Sequence, residues 1–174
     1  MKNESVFYSS PDRKLLIISG LVSLLLLGLF AQGVYLISVQ SDTLAGGLIL
    51  ATSGLTVLLC LSILNFKSYK ISDSELIISK YLMDEKYPLS GIKSYNQPKE
   101  PKKGLWRTMG NGGLFSYSGD FKNSELGHFK CYTKNWENLV ALETDRGWLL
   151  IGPDNHESFL SSLKKRTSLW TKAV

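Results

Sequence analysis

Arg107–Phe129, RTMGNGGLFSYSGDFKNSELGHF, is the stretch with the strongest claim to chemistry, because five glycines stand among aromatics and hydroxyls. A loop of that composition can wrap a phosphate, or it can supply the turns on which strands double back. A phosphate loop of the G-x-x-x-x-G-K-[ST] type places a lysine and a hydroxyl at a helix start. No lysine follows a glycine between Gly110 and Gly119, and the flanks read as strand. A dinucleotide loop would need a βαβ unit, for which the region has no room. The stretch therefore reads as β-structure with special turns. Asn111-Gly112 suits a type I′ turn, and Gly119 and Gly127 suit bulges or positive φ. Phe115, Tyr117, Phe121 and Phe129 stand at even spacing and are expected to line one face.

His128 and Cys131 are the nearest approach to a nucleophile–base pair. Three residues apart on a strand, they point to opposite faces and cannot meet. Two histidines and two cysteines, scattered, do not make a metal site. Asp73, Asp84 and Asp145 fall in turns, where acidic residues serve the backbone. No catalytic, cofactor-binding or metal-binding residue is assigned, and the chain is expected not to be an enzyme. Chemistry is instead suggested by a basic loop, Lys99, Lys102 and Lys103, followed by Trp106 and Arg107. Cations beside anionic lipid contribute about 1 kcal/mol each, and Trp favours the membrane interface. These five residues are the candidate membrane-surface contact. The competing reading is a solvated loop, and Glu100 dilutes the charge.

The elements that position these groups follow from a sharp split in the chain. Its 174 residues carry a formal net charge of +5 and are 44% hydrophobic. Leu15–Val39 has no charge in 25 positions and Leu44–Leu64 none in 21. At about 1.5 Å per residue, the first reaches about 37 Å, enough for a hydrocarbon core of roughly 30 Å. A signal peptide would have a shorter apolar region and a small-residue cleavage site. Only Gln40–Thr43 joins the two runs, so they are expected to form a transmembrane helical hairpin over residues 15–66. Lys2, Arg13 and Lys14 precede it, Lys67 and Lys70 follow it, and the turn carries only Asp42. The cation rule then puts both termini in the cytoplasm and makes the chain a multi-pass protein of the cytoplasmic membrane. Gly28, Gln32 and Tyr35 share one face of the first span, and Gly47, Ala51 and Gly54 one face of the second. A Gln32–Thr52 hydrogen bond is the expected interhelical contact. Cys60 and Cys131 are expected to remain thiols.

Residues 1–14 read as a cytoplasmic tail and 67–174 as one small cytoplasmic domain. Lys67–Ser72 and Glu75–Tyr81 read as a hairpin, and Lys86–Leu89 and Ile92–Tyr95 as short strands. Asn96–Gly104 is a loop. His128–Thr133, Leu139–Thr144 and Trp148–Ile151 are further strands, making roughly seven in all. A helix then opens with Asp154 as N-cap and Glu157 three residues on, a capping box. Its apolar face is Phe159, Leu160 and Leu163.

The two spans, then W-R-T-x-G-N-G-G-L-F-x-Y at Trp106–Tyr117, G-x-F-x-N at Gly119–Asn123 and I-x-P-D-N-x-E-x-F-L at Ile151–Leu160, resemble membrane-anchored bacterial proteins with a pleckstrin-homology-like (PH-like) domain. The resemblance covers essentially the whole chain. It implies a two-helix transmembrane hairpin followed by a mainly-β PH-like barrel capped by one C-terminal α-helix. It also implies a non-enzymatic module for protein interaction or self-assembly at the inner face of the membrane, with anionic-lipid sensing as the alternative. The expected partners are the lipid bilayer and a second copy or another membrane protein, with no nucleic acid and no small-molecule substrate. Phosphoinositide recognition does not carry over, because the first hairpin loop, Ser72-Asp73-Ser74, lacks cations.

Overall fold

A computed structural model describes residues 4–39, 43–62 and 65–167, with residues 58–62 described as backbone only. The turn bearing Asp42, the side chain of Cys60, Lys2 and residues 168–174 lie outside the described residues.

The chain opens with a strand, β1 (Ser5–Phe7), followed by helices α1 (Arg13–Ser38) and α2 (Thr43–Ser62). Strands β2 (Phe66–Ile71), β3 (Glu75–Lys80) and β4 (Glu85–Pro88) follow, then a 3-10 turn at Leu89–Gly91 and β5 (Ile92–Asn96). The remainder is β6 (Trp106–Gly112), β7 (Tyr117–Asn123), β8 (Gly127–Thr133), β9 (Val140–Thr144), β10 (Gly147–Ile151) and helix α3 (His156–Arg166). Two sheets result, ordered β1-β2-β3-β4 and β5-β9-β10-β8-β7-β6, antiparallel throughout except where β10 runs parallel to β8. From residue 66 there are nine described strands rather than seven, since the glycine stretch contributes β6 and β7.

Strand alternation explains the two cores. On β9 and β10, Val140, Leu142, Leu149 and Ile151 face the space between the sheets, while Ala141 and Leu150 face the opposite side. The inter-sheet core is closed by α3, whose Phe159 and Leu163 are buried beside Tyr69 and Phe66. Phe159 packs edge-on against Phe7 and Tyr69, with ring centroids 5.2 and 6.2 Å away. Tyr69 Oη donates to Tyr132 O at 2.6 Å and accepts from Gly152 N at 3.2 Å, tying the two sheets together through one buried hydroxyl. Burial pushes that phenol well above its ordinary value.

Three expectations are corrected. Residues 1–14 are not merely a tail, because Ser5–Phe7 pairs with Tyr69–Ile71 as the outer strand of the first sheet. Three residues are too short a run for alternation to reveal a strand. The N-cap of α3 is Asn155, whose Oδ1 accepts from Ser158 N at 3.0 Å. Asp154 is drawn away to accept from Ser10 N at 2.7 Å and Ser10 Oγ at 2.8 Å. Both residues are good caps, and the tertiary donors decide between them.

The third concerns the helix seam. Gln32 is exposed, and Thr52 Oγ1 donates within its own helix, to Leu48 O at 2.9 Å and Ile49 O at 3.1 Å. A helical threonine meets its own i−4 carbonyl without needing a neighbour. The helices touch instead at Gly33 and Gly46. A Cβ on Gly33 would stand 2.8 Å from Leu50 Cγ, and one on Gly46 would stand 2.7 Å from Gly33 O. Gly28, Gly47 and Gly54 have open space around them. Helix rotation, which face-counting leaves free, selects the seam.

Leu163→Ala should destabilise the chain by about 2–5 kcal/mol, because it opens a cavity under both sheets. Thermal unfolding of the full chain in detergent, followed by near-ultraviolet circular dichroism, checks this. An unchanged midpoint would remove α3 from the core.

Candidate interaction surface and inter-sheet cleft

The glycine stretch builds a hairpin. Gly110 and Gly119 lie opposite one another in β6 and β7, with φ of 107° and 126°. A Cβ on either would collide with the facing backbone, at Ser118 O or Met109 O. Only glycine allows this approach in this conformation. Gly127 also has positive φ, at 69°, as expected. The turn itself differs from a two-residue type I′ turn. Gly112 still pairs with Tyr117, and Asn111 Oδ1 accepts from Gly113 N at 3.2 Å and Leu114 N at 2.9 Å. The asparagine folds the chain through its side chain, and the turn falls at residues 113–116, two residues beyond the Asn111-Gly112 pair that composition suggests.

Phe115 leaves the expected aromatic row. It sits in the turn at φ 62°, an uncommon conformation for an aromatic residue, and its N–H donates to Ser19 Oγ in α1 at 2.9 Å. Tyr117, Phe121 and Phe129 do share a face, where Phe121 stacks on Phe129 at 6.0 Å and Tyr117 meets Trp136 at 5.2 Å. The hairpin therefore touches the root of α1 at its turn and carries a small apolar core on one side.

Strand β6 is one of the two outer strands of the six-stranded sheet. Trp106 is 72% exposed and Met109 71%, with Arg107 and Thr108 also exposed between them. The register breaks between Arg107 and Met109, where Thr108 Oγ1 instead donates to Asp120 O at 2.9 Å. A bulge of this kind limits indiscriminate edge pairing while leaving backbone groups open to a shaped partner.

The basic loop is folded against the β7–β8 turn. The backbone N–H groups of Lys99 and Glu100 donate to the Glu125 carboxylate at 3.1 Å each, and Lys103 Nζ pairs with Glu100 at 2.7 Å. Lys102 Nζ stands 5.9 Å from the Trp136 ring. Two glutamates thus offset much of the charge of the three lysines. The loop also enters β6 at the end opposite the turn that meets α1, about 20 Å along the strand at roughly 3.3 Å per residue. Lys99, Lys102, Lys103 and Trp106 therefore lie at the end of β6 away from the helix roots, whereas the Arg107 side chain lies against Gly112 at the other end of the strand.

Sequence reasoning missed the groups that do lie beside those roots. Phe66, the first residue of β2, pairs with Lys80 at the end of β3, so the following turn is level with the exit from α2. That turn exposes Tyr81, Leu82 and Met83, at 50%, 71% and 79%. Three consecutive apolar residues in a turn were the available signal. Between the sheets at the same end lies a cleft of about 200 Å³ lined by residues of β3, β6, β7, β8 and the α2–β2 link. Glu85 anchors it from behind. Its carboxylate pairs with Lys80 at 2.7 Å and Lys130 at 3.5 Å, and accepts from Tyr87 Oη at 2.7 Å and Tyr132 Oη at 2.5 Å. Burial alone would raise its pKa, but the donors from Lys80, Tyr132 and Tyr87 outweigh it and hold the group at about 2. Both tyrosines are pushed up, by burial first and by Glu85 second.

His128 is exposed and Cys131 is buried, on opposite faces of β8 as their spacing requires. Burial raises the Cys131 thiol far from the thiolate range.

The Glu85 knot has a pH signature. A carboxylate whose folded pKa is depressed stabilises the fold above its unfolded pKa and loses that contribution as pH falls towards the folded value. The window runs from the ordinary 4.5 down to about 2. Glu85→Gln should cost up to about 3 kcal/mol at neutral pH and flatten the acid limb of stability across that window. Unfolding midpoints of both proteins between pH 7 and pH 2 check this. Parallel curves would show that the carboxylate is not the titrating group.

Neither a curated protein nor a solved structure matches the chain. A family model described as "Bacterial PH domain" matches residues 67–167. That span runs from β2 to the end of α3, more than half of the chain, and it contains the two sheets and the capping helix in the order the motifs imply. The chain belongs to the bacterial PH domain family.

Proposed function

We propose that this PH domain is a non-enzymatic, membrane-tethered interaction module at the inner face of the cytoplasmic membrane. One described helix, Arg13–Ser38, is long and apolar enough to cross a membrane. The described apolar part of α2, Thr43–Val57, is shorter. Its packing against α1 through Gly33 and Gly46 supports a two-helix hairpin, because close backbone approach is how helices associate in lipid. Arg13, Lys14, Lys67 and Lys70 at the roots support cytoplasmic termini.

The observation that carries the interaction reading is β6, an edge strand whose register breaks at Thr108 between the exposed Trp106 and Met109. A partner or second copy adding a strand there would gain main-chain hydrogen bonds and an aromatic anchor. Lipid contact is a second reading. The feature that favours it is the apolar turn Tyr81–Met83 beside α2, not the neutralised basic loop.

Two measurements test this. In a chain lacking Cys60 and Cys131, Asp42→Cys should react with a membrane-impermeant thiol reagent from outside intact cells; labelling only after lysis would invert the topology. In native membranes, cross-linking with mass spectrometry should place partner contacts on β6. Trp106→Ala should lower partner recovery about 30-fold, the loss expected for a 2 kcal/mol anchor. Undiminished recovery would move the interaction to another surface.

A further inference from the structure

We propose that the β3–β4 turn, Tyr81-Leu82-Met83, is a foot that enters the acyl boundary of the inner leaflet and fixes the pose of the domain on its helices. The proposal rests on the membrane-tether reading above. It gives the lipid contact a depth and a mechanism, apolar insertion in place of charge attraction. Single exposed apolar residues are ordinary on a surface, whereas three in succession at one tip mark a contact. None of the three belongs to either core, and their exposure rises from 50% at Tyr81 to 79% at Met83. The tip is held in shape without them. Asp84 Oδ1 accepts from Ser79 Oγ at 3.1 Å and from Lys80 N at 2.9 Å, so the turn's one carboxylate closes its own backbone.

Depth identifies the occupant. The turn stands level with the exit from α2, because Phe66 pairs with Lys80. A contact elsewhere in the domain shows how deep that end lies. Phe115 N–H reaches Ser19, four residues inside the apolar run of α1, where Leu16, Ile17 and Ile18 are exposed on the helix flank. The helix seam gives the same level on α2. Ser19 is 14 residues from Gly33, and Ser62 is 12 from Leu50, which faces Gly33. Those spacings are about 21 and 18 Å at roughly 1.5 Å per residue. The helices therefore leave the hydrocarbon together near Ser19 and Ser62, and the near end of the domain enters the headgroup layer, roughly 5–8 Å thick on each side. The chemistry of the tip suits that layer. Lys67, the second residue of β2, holds its Nζ 4.4 Å from the Tyr81 ring centroid. A tyrosine ring in the interface with a lysine reaching over it towards water is a stable arrangement there. Lys80 is committed to Glu85 at 2.7 Å, so attraction to lipid charge is weak and apolar burial drives the contact.

Nitroxide labels at single cysteines read the depth. The full chain lacking Cys60 and Cys131 is placed in phosphatidylcholine nanodiscs with Leu82→Cys, Asp73→Cys or Leu25→Cys. Collisions of each label with oxygen and with a water-soluble nickel chelate are compared. Asp73 lies at the far end of the same hairpin, about 17 Å along the strands at roughly 3.3 Å per residue. We expect the label at 82 to meet oxygen in preference to the chelate and the label at 73 to show the reverse. The label at 25 should match the bilayer interior. With the label at Tyr81→Cys, Leu82→Ser together with Met83→Ser should lower the ratio of inserted to lifted turn at least about tenfold, the effect of returning two apolar side chains to water. Both residues stand outside the cores, so the fold tolerates the change. Undiminished insertion of that variant would overturn the proposal. Shielding of position 82 from both reagents would mark a protein contact, and shielding that requires added phosphatidylglycerol would mark charge attraction; either result overturns it. Chelate that reaches 82 as freely as 73 removes the foot and leaves the tether, provided the label at 25 stays in lipid. Chelate that also reaches 25 removes both.

Discussion

The pairing of β1 with β2 is the constraint on which the rest depends. These strands are separated in sequence by both helices, and their register places Ser5 opposite Ile71 and Phe7 opposite Tyr69. The helices must therefore leave and re-enter the domain at neighbouring points, which obliges them to run antiparallel. Around that pairing the chain adds further ties. Asp154 holds Ser10, Asp12 N donates to Lys134 O at 2.9 Å, and Asp12 Oδ1 caps α1 by accepting from Leu15 N at 2.7 Å. The turn at Phe115 grips Ser19. A domain joined to its helices by one linker would swivel; this one is joined on several sides and presents a defined face to them.

That geometry separates two surfaces by their distance from the helix roots. The cleft and the Tyr81–Met83 turn lie beside α2, while the basic loop and Trp106 lie at the outer end of β6. A positively charged loop attracts attention in a sequence because its cations are counted singly. In the fold, Glu100 and Glu125 meet it, and an exposed ion pair is worth little. Glu85 contrasts with that. Its four partners come from three strands in both sheets, and its partial burial strengthens each interaction.

Much of the β domain is legible in residue order. The hairpin around Asp73-Ser74, the Pro- and Lys-rich loop, the strands flanking Asp145-Arg146 and the helix with Phe159 and Leu163 all follow from alternation and turn chemistry. Gly119 and Gly127 at positive φ follow for the same reason. These features are set within a few residues of chain. Most errors fell where a second segment intervenes, at the short β1, the cap of α3, the helix seam and Phe115, whereas the turn after Asn111 departs for a local reason, its own side chain.

The sequence by itself determined the split between apolar spans and β domain, the strand-rich order ending in one helix, and the use of the glycines for backbone rather than phosphate. Each depends on periodicity or on the conformational range of single residues, which are local. Only the tertiary structure decided that Asp154 serves Ser10 instead of its own helix, and that Gly33 and Gly46 form the seam. It likewise decided that Lys80 and Lys130 line one cleft with Asn65 while both pair with Glu85. Those four residues come from α2's exit and three strands, with no shared spacing to mark them. Their meeting follows from the register of Phe66 with Lys80 and from the packing of one sheet over the other, both of which are properties of the whole fold.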